Sequence, residues 1–295
     1  LQYFSGTPII PIMRSIPFLA CLLAHALIFS QQKPAYRIFD KSGRETTYAR
    51  MLKATSKTEV VLFGEFHDNA ISHWLELELA KDLAQRTKLV LGAEMFEADN
   101  QTQLDGYLQD PSEDAQIDST ARLWPNYKTD YKPLVDFAKE KKFTFVATNI
   151  PRRFAGLVYK KGFEALETLT DAEKNWIAPL PIAYDANLPG YVKMVREMGG
   201  HGGDNLPKAQ AVKDATMAYF ILRNLRDGSV FLHYNGSYHS DDFEGIFWYL
   251  RQRRPDLKIL TISTVTQANI SSLEKENLSK ADFILVIDED VTKTY

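Results

Sequence analysis

Glu65, His67 and Glu94 are the first residues of the chain whose types could do chemistry together. Two carboxylates and an imidazole can move protons, or hold a divalent metal through imidazole nitrogen and carboxylate oxygen. A glutamate beside such a metal can act as general base on bound water. A second polar cluster, His233-Tyr234-Asn235-Gly236-Ser237-Tyr238-His239, adds two histidines. A third, Asn149 with Arg152 and Arg153, follows Pro151; two arginines near a proline able to start a helix suit an anion such as a carboxylate. Each group has a plainer reading beside the chemical one. Glu65 can pair with a lysine, Asp68 or Asn69 can cap a helix, and the arginines can be a solvated surface pair.

The elements that must position these residues read as follows. Val60 to Phe63 is an apolar run that stops at Gly64-Glu65, and Leu89 to Ala93 is another that stops at Glu94. Between them His73, Leu75, Leu79 and Leu83 fall at spacings that can share one helical face, which gives a β-α-β unit. Phe143 to Ala147, Val230 to Leu232, Ile259 to Ile262 and Phe283 to Ile287 bring the apolar runs to six, with helical patterns between them. The fold class is therefore α/β, a mostly parallel sheet flanked by helices. Ligands sit at the carboxyl ends of such strands. Four polar strand ends are expected to converge there: Glu65/His67, Glu94, Asn149/Arg152/Arg153 and His233/His239.

Smaller features surround this plan. Ile38 to Gly43 reads as a hairpin or turn, and Thr47 to Ala54 as a short helix. Trp124, Tyr127 and Tyr131 fall three and four apart, on one helical face. About 163–206 reads as a helical insertion or lid, broken by Pro179, Pro181 and Pro189. It ends in Gly199-Gly200-His201-Gly202-Gly203, where His201 is expected to face solvent.

The chain has 295 residues, 45% apolar and 25% charged, with a formal net charge of -3. That is ample material for a core. Without a concentrated positive surface, a nucleic-acid backbone is excluded as the expected partner. Met13-Arg14 followed by the apolar run Ile16 to Phe29 reads as a secretory signal peptide, cleaved after Ser30. The expected organisation is a leader over 1–30 and a single domain over 31–295. Cys21 is the only cysteine, so the domain offers no disulfide or thiolate chemistry. HExxH, GxSxG, GxxxxGK[ST] and GxGxxG are all absent, which weakens zincin, serine-hydrolase, P-loop and dinucleotide readings.

Gly64-Glu65-Phe66-His67-Asp68-Asn69, and Gly92-Ala93-Glu94-Met95-Phe96 with Gln101, resemble the haem-binding uptake family called ChaN. Later landmarks agree, in order: Tyr131-Lys132-Pro133-Leu134, Asn149-Ile150-Pro151-Arg152-Arg153, Ala209-Gln210, Asp214-Ala215-Thr216-Met217-Ala218 and Gly236-Ser237-Tyr238-His239. The resemblance implies a bacterial cell-envelope protein acting in haem and iron uptake. It implies export to the periplasm or outer membrane, often as a lipoprotein, although Cys21 lacks a convincing lipobox. It further implies a homodimer with two haems face to face, tyrosine as axial ligand, and a haem receptor or other uptake protein as partner. Tyr131, Tyr184 and Tyr191 are the candidate haem ligands, with Arg152 and Arg153 for the propionates. The family is also similar to the Tiki proteins and erythromycin esterases. That likeness implies an alternative, a metal-assisted hydrolase with Glu65, His67, Glu94 and His239 as catalytic residues and His67, Glu94 and His239 holding a divalent metal ion.

Overall fold

Val60, Val61, Leu62 and Phe63 are all fully buried. Successive side chains of a strand point to opposite faces, and here Val61 and Phe63 enter one core while Val60 and Leu62 enter another. A strand apolar on both faces needs helices on both sides of its sheet. The computed structural model has that arrangement; it describes residues 2, 3, 6, 33–112, 116, 117, 119–197 and 203–295. Apart from residues 2, 3 and 6, the leader expected over 1–30, with Cys21, lies outside the described residues, as does the expected solvent-facing His201. Of the two compact units, Leu1–Pro34 and Ala35–Tyr295, the second carries every element named below. Among the described residues no helix is long and apolar enough to cross a membrane.

The strands are β1 (Tyr36–Asp40), β2 (Glu45–Thr46), β3 (Val60–Glu65), β4 (Lys88–Glu97), β5 (Thr144–Asn149), β6 (Ser229–Gly236), β7 (Ile259–Gln267) and β8 (Phe283–Asp288). They form one sheet in the order β2-β1-β8-β7-β3-β6-β4-β5. From β8 to β5 every pairing is parallel, while β1 runs antiparallel to β8 and to β2. The expected mostly parallel α/β sheet is therefore present, and each of the six apolar runs falls on a strand, with Phe143 alone standing one residue before its strand. β6, late in the chain, enters between β3 and β4. That insertion makes the carboxyl ends of β3, β6 and β4 immediate neighbours.

Helices Tyr48–Thr55, Ala70–Ala84, Gln101–Gln109 and Lys132–Lys141 cover one face, through residues such as Leu52, Leu79, Leu104 and Val135. Helices Arg152–Lys161, Asn205–Asn224 and Ile246–Arg253 cover the other, through Val158, Met217 and Leu250. Asn69 is the N-cap of Ala70–Ala84, its side chain accepting from the backbone of Ile71 and Ser72. Leu166, Ile177, Ile182 and Tyr191, from the segment expected as an insertion, pack into the second core.

Two expectations shift. β4 continues beyond Glu94 to Glu97, with a register irregularity between Ala93 and Glu97, and β6 continues through His233 to Gly236. Glu94 and His233 therefore sit within strands rather than at their ends. The polar side chains are buried and bonded, so the ladder does not stop at the first of them. Nor do Trp124, Tyr127 and Tyr131 lie on one helical face. Residues Tyr127–Tyr131 form a π turn, wider than an α turn. Tyr127 consequently meets Phe96, ring centroids 6.0 Å apart, while Trp124 and Tyr131 meet each other at 6.1 Å.

The close fit of strand and turn at Gly64 is directly testable. A Cβ there would stand 2.9 Å from Ser237 Cα and 3.0 Å from the Ile262 carbonyl oxygen, both backbone atoms that cannot rotate away. Gly64→Ala is expected to destabilise the fold by about 1–3 kcal/mol. Chemical denaturation checks this, and an unchanged midpoint would contradict the packing described.

Candidate functional site

Sheet geometry sets the site. Glu65 closes β3 opposite Gly236 of β6 in the parallel register, and Glu94 extends from β4 on the other side of β6. The backbone N–H of Gly236 donates to Glu94 Oε2 at 2.8 Å. A Cβ on Gly236 would lie 2.8 Å from His67 Nε2 and 3.6 Å from Glu94 Oε2. The bare glycine is what lets the His67 ring pass over β6.

The first of two buried charge clusters is built on Glu65, 1% exposed. Its Oε1 receives His67 Nδ1 at 2.6 Å and the Tyr131 hydroxyl at 2.8 Å. Its Oε2 lies 3.2 Å from His73 Nδ1. His73 Nδ1 is also 3.0 Å from Glu76 Oε2, while its Nε2 donates to the His67 carbonyl at 3.1 Å. Asn126 and Thr294 fasten the neighbouring Asp130, and Asn126 also donates to the His67 carbonyl. Burial disfavours the Glu65 charge, yet the hydrogen bonds from His67 and His73 outweigh it and hold the carboxyl well below its usual range. Burial likewise opposes a charged His73, but Glu65 and Glu76 lift it to about 11, so it is an imidazolium. Glu76 moves the other way: burial and the nearby Glu65 charge raise it.

The second cluster is built on His239, buried and close to Glu94. Its Nε2 lies 2.9 Å from Glu94 Oε1 and its Nδ1 2.5 Å from Asp214 Oδ1. Burial works against the charge, but Glu94 and Asp214 raise the imidazole to about 10. Burial would lift Glu94, yet His239, His67 and the Gly236 N–H bring it down to about 2. Asp214, where burial dominates, is raised.

Between the two clusters opens a cavity of about 840 Å³, lined by Phe66, His67, Gly236, Tyr238, His239 and Lys293 among others. His67 is turned so that Nδ1 is tied to Glu65 and Nε2 stays over Gly236. Its ring rests edge-on against Trp124 at 4.7 Å. Burial opposes protonation of His67, but Glu65 and Glu94 prevail and raise it. Such an imidazole can donate a proton to an anionic ligand, or take part in ligating iron after losing that proton.

The structure brings together Glu65, His67, Glu94, His239 and Tyr131, but not the other residues singled out from the sequence. Arg153 pairs with Asp99 at 2.5 Å and stacks on Phe154 at 4.3 Å, and Arg152 is exposed at the start of Arg152–Lys161. Tyr184 stacks against Tyr191 at 5.5 Å, and Tyr191 is buried in the second core. Tyr131 is buried and donates to Glu65; burial and that charge push its hydroxyl far above the usual range, so it is a phenol and not a phenolate. His233, fully buried, bonds Thr148 and Asn235 and is held down to about 4 by burial; it is a neutral core residue. The expected metal set His67, Glu94 and His239 is not assembled. Glu94 and His239 are turned to each other, and among the described residues the donors that lie within 4.8 Å of one another belong to Glu65, His73 and Glu76.

His73, Glu76, Asp214 and Lys293 contribute to the site without having been singled out for it. The signal available for the first three was a polar residue on the apolar face of a helix: His73 and Glu76 one turn apart among leucines, and Asp214 between Ala211 and Ala215.

The arrangement is that of an α/β ligand-binding domain with its site at the carboxyl ends of parallel strands. Residues 51–250 match the family described as haem-binding uptake, Tiki superfamily, ChaN. The chain belongs to that family. Comparison with functionally characterised sequences finds no significant match. Among solved structures it is similar to ChaN of Campylobacter jejuni, whose structure shows cofacial haem binding, at 18% identity and TM-score 0.63, covering 88% of this chain and 99% of that one. It is also similar to a mutant erythromycin esterase in its open conformation, at 11% identity and TM-score 0.49, covering 88% of this chain and 100% of that one. A toxin effector domain from Vibrio vulnificus follows at 16% identity and TM-score 0.43, covering 83% of this chain and 40% of that one.

The His239 cluster carries a signed pH dependence. Glu94 falls from 4.5 to about 2, so its contribution is complete above the first value and is lost as pH falls toward the second. His239 rises from 6.5 to about 10, so its contribution is complete below the first value and is lost as pH rises toward the second. The gap in denaturation midpoint between wild type and Glu94→Gln is therefore expected to be widest between 4.5 and 6.5 and to narrow on both sides. A gap constant from about pH 3 to about pH 9 would overturn the ion-pair assignment.

Proposed function

We propose that this protein binds haem and acts in haem and iron uptake at the bacterial cell envelope. The match of residues 51–250 to the haem-binding ChaN family carries this reading. The cavity supports it, because a haem needs a slot with apolar walls, an axial ligand and cations for its propionates. Phe66 and Val291 supply apolar wall and Lys293 supplies a cation beside the opening. Lys293 is engaged with Asp68 at 2.6 Å, an exposed pair that a propionate can replace.

The axial ligand on this reading is Tyr238. It lines the cavity at 42% exposure, whereas Tyr131 and Tyr191 are 1% and 4% exposed. Its hydroxyl donates to the Gly190 carbonyl at 2.8 Å, an exposed bond that ligation would exchange for iron. His67 Nε2, over Gly236, stands ready to bond a ligated oxygen or a propionate. Export follows from the leader expected over 1–30. A second copy of the chain covering the open cavity would give the expected homodimer, and a haem receptor or another uptake protein would be its partner.

Titration of residues 31–295 with haemin, followed by visible spectroscopy and by sizing with and without haem, tests the proposal. Saturable binding with a ferric tyrosinate spectrum and a shift to dimer is expected. Tyr238→Phe should abolish that spectrum and Tyr131→Phe should preserve it. Absence of saturable binding would sink the haem reading; loss of the spectrum in Tyr131→Phe alone would move the ligand into the interior.

A further inference from the structure

We propose a second site, independent of haem: a buried divalent-cation site formed by Glu65, His73 and Glu76. Donor atoms of the three residues all lie within 4.8 Å of one another, and all three side chains are buried. Two elements supply them. Glu65 ends β3, while His73 and Glu76 stand one turn apart on Ala70–Ala84 and so share the face turned to the strand.

Glu65 and His73 each have their other polar atom held by an outer partner, the condition that orients ligands in metal sites. Glu65 Oε1 is taken by His67 at 2.6 Å and Tyr131 at 2.8 Å, which leaves Oε2 facing inward. His73 Nε2 donates to the His67 carbonyl at 3.1 Å, which leaves Nδ1 between the two glutamates, 3.2 Å from Glu65 Oε2 and 3.0 Å from Glu76 Oε2. A backbone carbonyl on the remote nitrogen is a common support for a metal-bound histidine.

A separate observation points to a ligand in the gap. Glu76 Oε1 is inaccessible to solvent and receives no hydrogen bond, while the equally inaccessible Glu65 Oε2 meets His73 Nδ1 at 3.2 Å. Buried carboxylate oxygens without donors are costly. Chemistry offers two ways to satisfy them, a proton shared between the carboxyls or a cation that displaces the protons held there, the Nδ1 proton of His73 included. With two carboxylates and one imidazole the donor set is oxygen-rich and free of thiolate, which suits Mn²⁺ or Zn²⁺ rather than a soft cation.

Metal content decides between proton and cation. Haem-free protein is loaded separately with Mn²⁺ and with Zn²⁺, dialysed, and analysed for metal per chain. One equivalent is expected in wild type, accompanied by a rise in melting temperature. Glu76→Gln keeps the shape while removing a ligand charge, and should weaken retention at least as much as loss of an outer partner does, about 10–100-fold. Glu94→Gln, which breaks the His239 cluster instead, should retain the metal. Circular dichroism confirms that each variant is folded, with His73→Gln as the substitute should Glu76→Gln not fold. No retained metal in wild type, or metal lost in Glu94→Gln and kept in Glu76→Gln, would overturn the site. The haem titration reads a visible ferric spectrum on the other side of Glu65, so failure of either proposal leaves the other standing.

Discussion

A carboxylate with no exposed side-chain surface has to be compensated, and Glu65 imposes that requirement on the whole carboxyl end of the sheet. Three elements answer it. His67 follows in the same loop, His73 comes from Ala70–Ala84, and Tyr131 comes from the π turn before Lys132–Lys141. Their approach to one oxygen pair fixes the helix N-terminus, the turn and the strand end with respect to each other. Asp130 and Asn126 then close the ring around the His67 and His73 backbone and imidazole groups.

Across β6 the same problem recurs with another solution. Glu94 and Asp214 grip His239 from two sides, and the backbone N–H of Gly236 donates to the other Glu94 oxygen. Gly236 thus links the clusters. It binds Glu94 through its nitrogen and leaves space for His67 above its α-carbon. Exposure separates their roles. His67 keeps about a third of its side-chain surface open, whereas His73 and His239 keep 6% and 7%. A ligand in the cavity therefore meets His67 as its most open imidazole, with His239 in the cavity wall and His73 held behind Glu65.

Much of this was legible in the chain because the sheet is parallel. Strands buried on both faces must be continuous apolar runs, so six of them stood out, and a polar residue after such a run marks the ligand-binding edge. Glu65, His67, Glu94 and His239 were found that way. Residues on helices were harder to find. His73 shares its face with Leu75, Leu79 and Leu83, and Asp214 lies among alanines; local sequence gives no reason to link either to a strand end many residues away. Arg152 and Arg153 lie apart from the cluster for a topological reason. They follow β5, which lies beyond β4 at the sheet edge, and Asp99, in the turn after β4, takes up Arg153.

Tyr131 is a family landmark whose side chain is committed to the interior. Its ring lies edge-on to His73 at 5.2 Å and to Trp124 at 6.1 Å, so the phenol is held by packing as well as by Glu65. Turning it outward to meet an iron would leave Glu65 one donor short and open a void beside His73, two costs that no external ligand repays to the interior. Tyr238 has neither obligation. Buried ionic groups contribute little net stability compared with apolar packing of the same volume, so the worth of the Glu65 cluster lies in geometry. It locks the interior residues in place, and the freedom to respond to a ligand is left to the rim, where Tyr238, Lys293 and the open edge of His67 make bonds that solvent or a ligand can exchange.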